Sequence, residues 1–122
     1  MTERTTRPLT TIDVDGGIPL VRVSGSLDAA AQRPVAAELD TVFDTRPGAI
    51  VLDLSDVDFM GSAGIALLIN TRHRAARLGI PFAVVAGNHR VLRPLRMSQV
   101  DTVLPLHPTV PAAVAAVRLA ST

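Results

Sequence analysis

The stretch Phe59-Met60-Gly61-Ser62-Ala63-Gly64 sets one hydroxyl between two glycines, directly before the apolar run Ile65-Ala66-Leu67-Leu68-Ile69. A serine at such a junction has two uses. Its hydroxyl can accept a hydrogen bond from one of the orphan N–H groups at a helix start, acting as an N-cap. It can also carry a phosphate, which the positive end of a helix dipole favours by about 0.3–1 kcal/mol. The glycines leave room for another backbone to approach. These residues alone leave both roles open.

Other chemistries are poorly supplied. The chain has no cysteine, which removes disulfides, thiolate catalysis and cysteine-ligated zinc. All twelve basic residues are Arg, so there is no lysine for a Schiff base or a P-loop. Gly61-x-x-Gly64 lacks the third glycine of a dinucleotide fingerprint, and it is not the Gly-x-Ser-x-Gly of a nucleophile elbow. His73 would lie about 16 Å along the helix that Ser62 begins, and His89 and His107 have no triad-like context. Asp56 and Asp58 form a carboxylate pair, but they read as solvating a loop rather than holding a metal. Neither a metal nor a cofactor is expected.

The elements that must position Ser62 follow from periodicity. Residues 9–14 read as an edge strand, Asp15-Gly16-Gly17 as a turn, and 18–27 as the second strand of a hairpin. A helix begins near Pro34, with Val35, Leu39, Val42 and Phe43 on one face, and ends at Arg46-Pro47-Gly48. The run 49–54 is apolar enough for a strand buried on both faces. After a loop over 55–64, a helix runs to Leu78, stopped by Gly79 and Pro81. A strand over 82–86, a short Arg-rich helix over 90–97, a strand over 102–106 and a helix over 111–119 complete the chain.

The order ββαβαβαβα predicts a single α/β domain over residues 9–120. Its mixed, mostly parallel sheet has about five strands, with four helices, and residues 1–8 form a flexible N-terminal segment. In such sheets ligands meet the loops beyond the carboxyl ends of the strands, where Ser62 falls.

Composition agrees with a folded domain: 48% of the 122 residues are hydrophobic, although only three are aromatic, all Phe. The N-terminus lacks the apolar core of a signal peptide, and no apolar run reaches the ~18 residues of a membrane span. A soluble, cytoplasmic protein with no membrane role is expected.

Charge is uneven. Residues 1–60 carry ten acids and five Arg, whereas residues 61–122 carry one acid, Asp101, and seven Arg. Arg72, Arg74, Arg77, Arg90, Arg93 and Arg96 form a basic patch without aromatic stacking partners. It reads as a solvated face or a rim for an acidic protein, with no direct nucleic-acid binding expected. Met60 and Met97 are candidates for adaptable interface contacts or for the core.

The block from Ile50 to Ile65, reading Ile-Val-Leu-Asp-Leu-Ser-Asp-Val-Asp-Phe-Met-Gly-Ser-Ala-Gly-Ile, resembles the hallmark of STAS domains of anti-sigma factor antagonists. There, a strand ending in Asp-Leu leads to Asp-Ser-Ser/Thr-Gly-Leu. Ser24-Gly25-Ser26-Leu27-Asp28 resembles the family's Gly-Glu-Leu/Ile-Asp, and the segment from Arg90 to Val100 resembles a third marker. The resemblance covers about residues 10–118.

It implies a partner-switching regulator that is not itself an enzyme. Unphosphorylated, such an antagonist binds an anti-sigma factor that is also a serine kinase, and so frees a sigma factor. Phosphorylation releases it, and a separate phosphatase resets it. Carried over, Ser62 is the phosphorylation site and Asp28 the acid beside it; Asp58, Met60, Gly61, Ser62, Ala63 and Gly64 join Asp28 in binding the partner. The family's loop acid is replaced by Gly61 and its second hydroxyl by Ala63, so Ser62 is the only acceptor in the loop. Alternatives are a STAS scaffold or transport-system subunit that is never phosphorylated and, from a different class, a small serine-dependent hydrolase or nucleotide-binding enzyme. An exposed edge strand permits a monomer or a weak homodimer.

Overall fold

A computed structural model describes residues 10–121. The expected flexible segment 1–8 lies outside the described residues. The chain runs β1 (Thr10–Asp15), β2 (Ile18–Leu27), α1 (Ala29–Asp44), β3 (Ile50–Met60), α2 (Ser62–Leu78), β4 (Phe82–Val85), α3 (His89–Met97), a 3-10 turn (Val100–Thr102), β5 (Leu106–His107) and α4 (Val110–Ser121). The strands lie in sequence order in one sheet, β1 antiparallel to β2 and the rest parallel. This is the mixed α/β architecture read from the sequence.

Alternation within the strands divides the core in two. Val21 and Val23 of β2, Ile50, Leu52 and Leu54 of β3, and Val84 of β4 point to the side covered by α1, α2 and α3. Ile18, Leu20, Val51, Ala83 and Val85 point the other way, against Ala113, Val114 and Val117 of α4. The central strands are buried on both faces, which is why 49–54 reads as continuously apolar. Arg118 of α4 donates a hydrogen bond to the Gly16 carbonyl at 3.4 Å, tying the last helix to the hairpin turn.

Three boundaries differ from expectation. Helix α1 begins at Ala29, five residues before Pro34, because the Asp28 carboxylate accepts hydrogen bonds from the N–H groups of Ala30 and Ala31, both at 3.1 Å. Pro34 is exposed inside the helix; the side-chain cap outweighs the proline signal. Strand β3 runs on through residues 55–60, which the polar residues had marked as loop, because β2 is long enough to pair with it as far as Leu27 opposite Met60. The expected last strand is instead the 3-10 turn and a two-residue β5. There Gln99, two residues past the end of α3, turns the chain with a φ of 64°, and buried Leu104 reaches the core before pairing resumes at Leu106.

Candidate functional site at the carboxyl ends of β2 and β3

The site is built where the two longest strands end side by side. The Gly61 N–H donates to the Leu27 carbonyl at 3.0 Å, so the chain leaving β3 is pinned to the chain leaving β2. A Cβ on Gly61 would lie 3.7 Å from the Cα of Asp28 and 3.2 Å from the ring edge of Phe59. Asp28 therefore stands beside the Ser62 loop, as the resemblance implied, and its carboxylate is engaged in capping α1.

Gly64 is a packing requirement. A Cβ there would lie 2.5 Å from the Leu27 carbonyl oxygen and 2.7 Å from Met60 Sδ. Only glycine lets the first turn of α2 approach β2 this closely. Met60 is 4% exposed and packs beneath that turn, so of its two sequence readings the structure shows the core one.

Ser62 is the first residue of α2, one position later than the N-cap, which is Gly61. Among the described residues, no side chain caps this helix. The Ser62 side chain is exposed, and among the described residues its hydroxyl has no hydrogen-bond partner. The simple capping role is thus vacated: the hydroxyl points to solvent over a helix start whose first N–H groups are unsatisfied by side chains. Ala63 is half-buried beside it.

The strand behind this loop is irregular. Register shifts interrupt β2–β3 pairing between Arg22 and Ser24 and between Gly25 and Ser26. At the first shift the buried carboxylate of Asp53 accepts from the Ser55 N–H at 3.0 Å and from the Ser55 hydroxyl at 2.5 Å, and pairs with Arg22 at 3.4 Å. Further along, the Ser26 hydroxyl donates to Asp58 at 3.4 Å. Bulges of this kind re-aim a strand end next to a site.

Asn88 holds the far side. Its side-chain oxygen accepts from the Val91 N–H at 2.9 Å, capping α3, while its amide nitrogen donates to the carbonyls of Ser55 and Val57 at 3.2 and 3.1 Å. One side chain thereby fixes α3 against the extended end of β3. Asp53 and Asn88 were not among the residues singled out from sequence. An acid inside an apolar strand and an Asn after Gly87 were the available signals.

Asp58 faces a groove with α3 that also includes His89 and Arg90. His73 lies exposed on α2 and His107 half-buried on β5. Among the described residues, no group of three His, Cys, Asp or Glu side chains could hold a metal ion, and no helix is long and apolar enough to cross a membrane.

Comparison with known proteins places this arrangement. The STAS domain family matches residues 10–113. Anti-sigma-F factor antagonist RsfB of Mycobacterium tuberculosis is 28% identical over 108 residues, covering 88% of each chain. RsfA, an anti-sigma-F factor antagonist of the same species, is 30% identical over 100 residues, 80% of this chain and 77% of that one. The crystal structure of an anti-sigma factor antagonist from Mycobacterium paratuberculosis superposes with a TM-score of 0.83 at 33% identity, covering 89% of this chain and 92% of the other. The chain thus belongs to the STAS domain family, and the relatives it matches are anti-sigma factor antagonists.

Proposed function

We propose that the protein is an anti-sigma factor antagonist that works by partner switching, with Ser62 as its switch. Unphosphorylated, it binds an anti-sigma factor that is also a serine kinase, and the sigma factor is set free in the cytoplasm. The kinase transfers the γ-phosphoryl group of ATP to the Ser62 oxygen; ADP leaves, and the hydroxyl proton passes to a base of the kinase. The modified antagonist then dissociates until a phosphatase removes the phosphate. Catalysis belongs to the kinase and the phosphatase, while this chain supplies the acceptor and the docking surface around Asp28, Asp58 and residues 61–63, supported from beneath by the buried Met60 and Gly64.

The observation that carries this reading is the exposed Ser62 hydroxyl, which among the described residues has no partner and lies on the first turn of a helix that no side chain caps. In the free protein a phosphate there meets the open N–H groups and the positive helix end, which favour it by about 0.3–1 kcal/mol. In the complex the same group brings about −1.5 to −2 charges into a desolvated contact beside Asp28. The modification is therefore tolerated free and penalised bound. A penalty of about 3 kcal/mol weakens binding roughly a hundredfold, since ~1.4 kcal/mol is tenfold.

Calorimetric titration of the purified anti-sigma factor tests the reading. Wild type and Ser62→Ala should bind alike, and Ser62→Asp should bind about a hundredfold more weakly. Equal affinity for Ser62→Asp would mark a constitutive scaffold instead.

A further inference from the structure

Beside the Ser62 loop a groove of about 320 Å³ runs between the end of β3 and α3, with Phe59, Met60 and Pro94 as its apolar lining and Arg90 and Arg93 at its rim. We propose that this groove is the specificity-determining half of the partner interface: Phe59 inserts into an apolar pocket of the anti-sigma factor, and Arg90 and Arg93 engage an acidic segment beside that pocket. The inference rests on the antagonist reading above and adds to it which residues choose the partner and what the partner must present.

Phe59 is 53% exposed, whereas Phe43 is buried at 1% and Phe82 is half-buried. An aromatic ring left half in water on a chain with so few aromatics is a poor contributor to folding and a good anchor for association. Its ring edge lies close to the backbone of Gly61. The groove is also pre-formed. Asn88 ties the extended part of β3 to the start of α3, so little ordering cost falls on binding.

The charge gives the partner's chemistry. Helix α3 carries Arg90, Arg93 and Arg96 and no acid. Among the described residues the ion pairs are Arg22–Asp53 and Arg74–Asp40, so none of the three α3 arginines is paired. Arg90, Arg93 and Met97 recur at helical spacing along one stripe, and Met97 is 75% exposed. Aromatic, Met and Arg side chains together make the composition enriched in interface cores. Asp58 is the one acid lining the groove, so the surface is mixed rather than uniformly basic. With only the Phe59 ring and the His89 imidazole available for stacking, an acidic protein segment fits it better than a nucleic-acid strand. Gly61 sits next to both the Phe59 ring edge and Asp28, which makes the groove continuous with the Ser62 loop.

The test uses the full chain and the purified anti-sigma factor kinases of its own genome; the tightest binder of wild type is the probe. Affinity and rates are measured between about 50 and about 300 mM salt, with thermal melts confirming that each variant is folded. Phe59→Ala should weaken binding about 10–100-fold, mainly through faster dissociation. Arg90→Glu with Arg93→Glu should weaken it at least about tenfold, mainly through slower association, and flatten its salt dependence. Arg72→Glu with Arg77→Glu, the same charge change at two exposed positions of α2, should alter affinity less than about threefold. If Ser62→Asp abolishes binding while the groove variants match wild type, this inference fails and the antagonist reading stands. If the α2 pair costs as much as the α3 pair, overall charge rather than the groove attracts the partner, and the inference fails. A dimer of this chain that Phe59→Ala dissolves without changing partner affinity would assign the groove to self-association and overturn it. No binding by any kinase would overturn both readings.

Discussion

Two helices begin side by side at the carboxyl edge of this sheet, and they begin differently. At α1 the Asp28 carboxylate accepts from two N–H groups of the first turn, so the positive helix end is satisfied by an anion of the protein itself. At α2 the N-cap is Gly61, no side chain reaches the first turn, and the nearest hydroxyl, Ser62, faces outward. Since an N-cap side chain contributes about 1 kcal/mol relative to Ala, the second helix forgoes stability that the first one takes. The open helix is the one whose start projects beside an exposed aromatic ring and a pre-formed groove. The cap is placed on the helix that follows β2, and the exposed hydroxyl on the helix that is left open.

Substitutions at these two helix starts and their supports can break or sharpen that contrast. The largest effect is expected at Gly64→Ala, where the added methyl collides with the Leu27 carbonyl and Met60 and should cost about 2–3 kcal/mol of unfolding free energy in denaturant titrations. A cost below about 1 kcal/mol would mean that α2 can slide outward and that the close approach is not rigid. Next comes Asn88→Ala, which removes the α3 cap and two donors to the β3 backbone and should cost about 2 kcal/mol; Asn88→Asp, which keeps the cap, should recover about half of it. Full recovery would show that the tie to β3 contributes nothing. Asp28→Ala opens α1 as α2 is open and should cost about 1 kcal/mol, with Asn at the same position restoring most of the loss. The smallest change is expected for Gly61→Asp, which gives α2 a cap. Aspartate exceeds glycine as a cap by only a few tenths of a kcal/mol, so melting should shift by little more than a degree. A marked loss instead would show that the Phe59 ring, whose edge lies near the added Cβ, cannot move aside.

Much of the fold was legible because its signals are local. The apolar run over 49–54 marks a strand covered on both sides, and Gly79 followed by Pro81 stops α2 where the structure does. What could not be read depends on partners distant in sequence. Residues 55–60 look like a loop until β2 pairs with Asp56, Val57, Phe59 and Met60, and Asn88 donates to the carbonyls of Ser55 and Val57 from 33 and 31 residues away. Pro34 competed with Asp28 for the start of α1, and the hydrogen-bonding cap prevailed. At the site, the glycine-flanked Ser62 stood out from sequence alone. That Met60 turns inward while Phe59 turns outward was hidden, because the irregular pairing before them breaks the alternation by which strand faces are read.

Whether Ser62 takes a phosphate, and what that does to binding, is read by intact mass spectrometry. The protein is incubated with the anti-sigma factor that binds it and with ATP, and the product is tested for renewed binding. Wild type should gain one phosphate and bind about a hundredfold more weakly, while Ser62→Ala should gain none and remain bound. Phosphate that never appears, that still appears on Ser62→Ala, or that leaves affinity unchanged would contradict the account.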